Sequence, residues 1–404
     1  LDRIYQAAHL LRGVARKTDL IRADNLVEDC DLYLKTENLQ RTGSFKLRGA
    51  YFKIANLSEE EKAKGVIASS AGNHAQGVAL AAQKSGIRAT IFIPSIAPIS
   101  KIEATRRLGA EIRLIDGVYD DAYQAACQYQ AESGAVFVHP FDDVDVIAGQ
   151  GTIGLELMDQ MPDLDAVVVP VGGGGLISGV AFAVKKLNPN CKVYGVQAAG
   201  AASMAHALQE RKLCSLEEVS TFADGIAVKA PGELTYAFCS QYVDDVVTVS
   251  DDETAAAILA LMERQKLVAE GAGAVPVAAL LFDKLHLPGK KVACLVSGGN
   301  IDVNILSRVI NRGLLTSGRL SDLTIAMRDK PGELKRVSAI IADQGANVIK
   351  VRHNLSVENM EINSCFLHIS METKNRQHLL DIEHALQEAG YTIQKQAVNS
   401  ASCR

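Results

Sequence analysis

The stretch VVVPVGGGGLISG, residues 167–179, decides how the rest of the chain reads. A short run of valines leads into Gly172, Gly173, Gly174 and Gly175, and a helix is expected to begin near Leu176. A strand with no polar face that turns straight into a helix belongs to a parallel sheet covered on both sides. Four successive glycines cost backbone entropy, which a flexible turn would not require but a closely approaching ligand would. Their N–H groups, next to the positive end of a helix, form an anion site. Ile177 stands where a dinucleotide fingerprint needs its last glycine, and no Gly-Lys-Ser/Thr follows. The anion expected here is therefore the phosphate of a phosphorylated cofactor rather than a nucleoside triphosphate.

Outward from this turn the same grammar repeats. GVIAS (65–69), ATIFIP (89–94), AEIRLI (110–115), AVFVHP (135–140), KVYGVQ (192–197), VVTV (246–249) and KVACLVS (291–297) read as short strands, with helical patterns between most of them. That alternation predicts parallel α/β architecture with ligands beyond the carboxyl ends of the strands. After Arg312 the pattern changes. GLLTSGRLSD reads as a linker, and the chain beyond it predicts β-α-β-β-α-β, a ferredoxin-like order. NSASCR at the end reads as a loose tail.

Composition excludes several functions. With 404 residues, two or three domains are expected. Net charge is −5, without a Lys/Arg block, and Trp is absent, so nucleic acid is a poor partner. No apolar run reaches the ~20 residues a membrane helix needs, and the opening LDRIYQAAHLL lacks a signal-peptide plan. Eight scattered cysteines, with no C-x-x-C and no regular His spacing, predict reduced thiols of a cytoplasmic protein and no metal site.

Three further stretches carry chemistry. SSAGNHAQG (69–77) follows a strand and opens a helix; Ser70, Gly72, Asn73 and His74 could receive a carboxylate there, or merely cap the helix. VSGGN (296–300) puts Ser297 at a strand's carboxyl edge, where a tight turn is the plainer reading. In EGAGA (270–274), Glu270 could cap a helix or meet a polar ligand. Lys46, in RTGSFKLRGA (41–50), stands near a helix start, where the dipole disfavours a cation. Most lysines in such patterns lie on the surface. A buried one that loses its proton is the nucleophile for a Schiff base. Lysine, phosphate turn and carboxylate site together are the inventory of a pyridoxal-phosphate enzyme acting on an amino acid.

S-F-K-x-R-G-A around Lys46, S-A-G-N-H-A-Q-G at 70–77, G-G-G-G-L at 172–176 and S-G-G-N at 297–300 resemble the fold-type II pyridoxal-phosphate family, and within it the threonine dehydratases (threonine ammonia-lyases). The resemblance runs from about residue 5 to 315. Residues 320–396, with DKPGEL at 329–334, resemble an ACT domain. It implies a catalytic unit over 1–315, with a small subdomain at about 46–147 inserted between 1–45 and 148–315. A linker at 316–321 and a regulatory domain at 322–400 would come after it. It implies further that Lys46 bonds the cofactor and moves the substrate α-proton, and that Phe45 and Gly225 flank the ring. Gly172 to Gly175 with Leu176 would hold the phosphate. Asn73 would meet the ring hydroxyl, Ser297 the ring nitrogen, and Glu270 would lie beside cofactor and substrate. Ser70, Gly72, Asn73 and His74 would take the substrate carboxylate. The substrates implied are L-threonine and L-serine. The resemblance also implies an isoleucine or valine effector near Gly332 and Asn347, and a homotetramer or homodimer. Two residues depart from relatives. Ala71 replaces the second serine of serine racemases, and Gln197 stands where some relatives carry an acidic cation ligand. A serine dehydratase or racemase, or a non-catalytic amino-acid sensor, remain as alternatives.

Overall fold

In the computed structural model, described for residues 1–355 and 364–394, the chain forms two compact units, 1–302 and 303–404. The first holds two sheets. The larger has six strands in the order Leu20–Arg22, Asp31–Lys35, Lys291–Leu295, Ala166–Pro170, Lys192–Ala198 and Asp245–Val249. Only the first pair is antiparallel. The smaller sheet, Glu111–Ile115, Ala89–Pro94, Val66–Ser69 and Val136–Phe137, is parallel throughout. Ala166–Pro170 and Val66–Ser69 are buried at every residue, as the uninterrupted apolar runs require.

The helix Val144–Gln160 ties the two sheets' surroundings together. The Asp143 carboxylate accepts the N–H groups of Asp145 and Val146 and so caps it. Its neighbours come very close: a Cβ on Gly149 would lie 2.6 Å from both Gly49 Cα and Arg48 O. Only glycine permits this crossing, which sets the helix Lys46–Ala55 directly on Val144–Gln160.

Two expected elements differ. AVFVHP is a strand only over Val136–Phe137. Pro140 has no N–H to give, and the His139 ring accepts the Phe141 and Asp142 N–H groups, so the chain turns away. The expected linker is short: the helix Val303–Thr316 runs through Gly313 into its first four residues, a turn follows at 317–319, and the next strand begins at Leu320. A helix-interior glycine costs only about 1 kcal/mol, so Gly313 does not by itself end the helix. The two compact units divide between Asp302 and Val303, at the start of that helix.

The second unit carries the expected β-α-β-β-α-β order. Leu320–Arg328, Asn347–Asn354, Ser364–Glu372 and Thr392–Gln394 form an antiparallel sheet, ordered second, third, first, fourth. Helices Glu333–Asp343 and Arg376–Glu388 pack around a core that includes Val337, Ile341, Leu367 and Ile382. The expected tail, 399–404, lies outside the described residues. Among those described, no helix is long and apolar enough to cross a membrane.

Candidate active site

Lys46 opens the helix Lys46–Ala55 and is partly buried. The segment before it lies on the SGGN turn. Phe45 N–H donates to Ser297 O (3.1 Å), Gly299 N–H donates to Gly43 O (2.9 Å), and Ser44 bridges Gly298. Lys46 Nζ donates to Pro140 O at 2.8 Å and lies 5.3 Å from the Phe45 ring centre. Burial brings the ammonium down to about 8, with Glu270 pulling the other way.

Glu270 occupies the N-cap position of the helix Gly271–Leu281, but its side chain does not cap. Its Oε1 accepts from Asn73 Nδ2 at 2.6 Å. Burial and the nearby Asp224 push its carboxyl up to about 7, against the Asn73 bond. Asn73 Oδ1 in turn accepts from Asn300 Nδ2 (2.8 Å), which also donates to Thr42 O (2.7 Å). Gly298 completes this corner: a Cβ there would sit 2.3 Å from Glu270 Oε1.

Asn73 also begins the helix Asn73–Ser85, packed so tightly that a Cβ on Gly77 would be 3.0 Å from Lys46 C. Gly72 N–H donates to Ser70 Oγ (3.1 Å). Among the described residues no protein acceptor takes the N–H groups of Asn73, His74 or Ala75. The His74 ring turns inward, with Nε2 2.7 Å from Val138 O. Burial and Lys46 hold that ring down at about 3, so it is neutral.

The glycine turn leaves the strand Ala166–Pro170 and enters the helix Gly175–Leu187 through Gly174 at φ +96°. Among the described residues no protein group accepts the N–H of residues 172–177. A Cβ on Gly173 would lie 2.5 Å from the Phe141 ring, and Thr235 Oγ1 donates to Gly173 O at 2.6 Å. Gly225 lies between this turn and Glu270: a Cβ on Gly172 would be 3.5 Å from Gly225 O, and one on Gly225 3.6 Å from Glu270 Oε1.

All four sequence stretches therefore meet around Lys46, joined by Pro140 and Phe141. Pro140, Phe141, Thr235 and Asn300 carry no role in the sequence reading. The signal for the first two was a His-Pro-Phe just past a strand's carboxyl end. Gln197 is buried, with both amide ends on the backbone of Ala201 and Ala205. Gly332 and Asn347 do not meet within one chain. Gly332 caps the start of the helix Glu333–Asp343, whereas Asn347 follows its far end, about 16 Å away at 1.5 Å per residue.

Arg48 anchors the Lys46 helix from beneath. Its buried guanidinium donates to the Glu37 carboxylate (2.7 and 2.9 Å), to Glu156 (2.6 Å) and to Thr152 (3.1 Å). Lys35, also buried, donates to Glu156 at 2.6 Å. Burial alone would raise Glu37; Arg48 holds it below its usual value.

Residues 11–298 match the family described as "Pyridoxal-phosphate dependent enzyme". The chain belongs to that family. An L-threonine ammonia-lyase of Thermotoga maritima is 52% identical over 97% of this chain and 98% of its own length. Among solved structures, the processed threonine deaminase isoform 2 of Solanum lycopersicum is 41% identical, with a TM-score of 0.73 over 78% of this chain and 94% of that one. Maize serine racemase is 36% identical, with a TM-score of 0.72 over 78% and 97%.

The residues present fit pyridoxal phosphate. Six successive N–H groups without a protein acceptor, at a helix N-terminus, suit a phosphate. A partly buried lysine with lowered proton affinity lies nearby. When bound, the cofactor supplies an aldehyde that captures amines and a conjugated ring that takes up the electron pair left by a departing proton.

Proposed function

We propose that this enzyme converts L-threonine to 2-oxobutanoate and ammonia by β-elimination of water, and L-serine to pyruvate and ammonia. The observation that carries the reading is one connected set of residues: Lys46, bonded to Pro140 O and influenced by Glu270, the Asn73–Glu270 pair, and a glycine turn packed on Phe141 and beside Gly225. The near-full-length similarity to an L-threonine ammonia-lyase supports threonine as substrate.

In this reading each residue has a physical task. The N–H groups of residues 172–176 hold phosphate. Phe45 and Gly225 would border the ring, Asn73 would meet its hydroxyl, and Ser297 would offer a neutral hydroxyl to its nitrogen. Ser70, Gly72 and the N–H groups of Asn73 and His74 hold the substrate carboxylate at a positive helix end. This fixes the α-carbon over Lys46. Lys46, as a neutral amine, takes the α-proton onto Nζ, and burial makes that neutral form accessible near neutral pH. Glu270, protonated up to about pH 7, would hold a proton for the departing β-hydroxyl. The water lost in elimination is regained when the carbon–nitrogen bond is hydrolysed, so threonine balances 2-oxobutanoate plus ammonia.

A racemase reading draws on the similarity to maize serine racemase. Ala71 argues against it, since it carries no hydroxyl to reprotonate the opposite face. The C-terminal unit is read as an ACT-type regulator that binds isoleucine or valine near Gly332 and Asn347. Their separation within one chain favours a homo-oligomer in which different copies supply them. Seven free cysteines among the described residues support a cytoplasmic setting. The test is keto-acid release from L-threonine and L-serine, with chiral analysis of residual serine. Folded, cofactor-loaded protein that makes D-serine but no 2-oxobutanoate would overturn the reading.

A further inference from the structure

Three side chains distant in sequence meet at one end of the C-terminal unit's sheet: Asp329, His353 and Cys365, whose ligand atoms all lie within 4.8 Å of one another. The sheet register explains the meeting. Cys365 pairs with Met327 and His353 with Leu367, while Asp329 follows the end of the first strand. Directly opposed residues share a face, and Cys365 and Leu367 both belong to the buried core. His353 therefore lies on the core side, at the margin where the core reaches solvent. Asp329 and His353 are both about half-exposed, so an ion has a path in.

The three groups are largely uncommitted. His353 Nε2 is 3.8 Å from Asp329 Oδ1, too long for a hydrogen bond, and neither side chain bonds anything closer among the described residues. Cys365 is a free thiol whose only hydrogen bond among the described residues is a weak one to Met327 O at 3.6 Å. A tetrahedral zinc ion, with bonds of about 2.0–2.3 Å, wants its ligand atoms about 3.3–3.8 Å apart. The Asp329–His353 pair is already at that spacing, and Cys365 Sγ lies within 4.8 Å of both. A thiolate and an imidazole select zinc-like ions over magnesium or calcium.

We propose that Asp329, His353 and Cys365 hold one zinc-class divalent ion, with water in the fourth position. On binding, Cys365 Sγ gives its proton to solvent and forms the metal bond, and no electron is transferred. The ion clips the turn after the first strand to two neighbouring strands. Neither the similarity to other proteins nor the catalytic reading invokes this site.

The test uses the full chain with its cofactor bound, stripped of metal by a chelator and titrated with Co²⁺ and then Zn²⁺. The expected result is one tetrahedral cobalt per chain with a thiolate charge-transfer band that zinc displaces. Cys365→Ser should abolish that band. Asp329→Asn and His353→Gln, both at exposed positions, should weaken zinc binding at least ~10-fold. Unchanged circular dichroism and cofactor absorbance show that each variant is folded. No charge-transfer band in the parent, or a band that survives Cys365→Ser, overturns the proposal. Equal zinc affinity in Asp329→Asn, His353→Gln and parent does so too.

Discussion

Replacing Arg48 by Met should destabilise the catalytic unit severely without touching a ligand-facing atom. The guanidinium is 1% exposed and Glu37 fully buried, so the substitution leaves a carboxylate in the interior with Thr18 Oγ1 as its remaining donor. Glu156 keeps Lys35 and is partly exposed, so it suffers less. Removing one member of a buried pair costs about 3–5 kcal/mol, most of it the uncompensated charge. At roughly 2 °C per kcal/mol for a chain of this size, the thermal midpoint should fall by about 6–10 °C. The assay is thermal unfolding followed by circular dichroism at one scan rate with excess cofactor. Arg48→Lys should recover only part of the loss, because an ammonium cannot reach Glu37, Glu156 and Thr152 together. Adding Glu37→Gln to Arg48→Met should recover more, since it removes the stranded charge. An Arg48→Met midpoint equal to the parent's, or a double variant no better than the single one, would refute the argument.

Three other outcomes are expected from the site. Apoenzyme reconstituted with pyridoxal phosphate should load at a rate that rises about tenfold per pH unit and levels off above about 8, tracking neutral Lys46; levelling only near the ordinary lysine range would contradict burial as the cause. Glu270 is held near 7 against an ordinary 4.5, so the folded state keeps a proton that the unfolded chain releases between those values. Stability should therefore fall as pH rises from 4.5 to 7, by about 3 kcal/mol at about 1.4 kcal/mol per tenfold. Glu270→Gln should flatten that slope in denaturant titrations, and identical slopes in both proteins would count against it. Gly174→Ala places a Cβ 2.7 Å from Met204 Cε in a left-handed backbone, so equilibrium dialysis should show cofactor binding at least ~10-fold weaker.

Much of the catalytic fold was legible because its strands are apolar on both faces and end in glycine turns, patterns that local sequence carries completely. The four motif stretches were legible for the same reason, each being a strand end or a helix start. What was illegible depends on long-range contact. Pro140 and Phe141 reach Lys46 and Gly173 only because the small sheet's last strand stops at Phe137. Asp329, His353 and Cys365 show no spacing signal, since it is strand pairing that brings them together.

Lys46 shows the limit most sharply. Its position at a helix start gave the right direction for its proton affinity, because a cation there opposes the dipole. The structure supplies a different principal cause: burial against Pro140 and Phe45, with the Glu270 carboxyl opposing it. The distinction has consequences. A dipole effect would survive any change that preserves the helix, whereas a burial effect fails when water enters. The packing that excludes water includes Gly77, whose absent side chain lets the Asn73–Ser85 helix close on the Lys46 backbone. Gly77→Ala should therefore shift the pH at which cofactor loading levels off upward, toward the ordinary lysine range, while the helix Lys46–Ala55 stays formed. A slower but unshifted profile would mean that the helix start, and not the dry packing around it, sets the chemistry of Lys46.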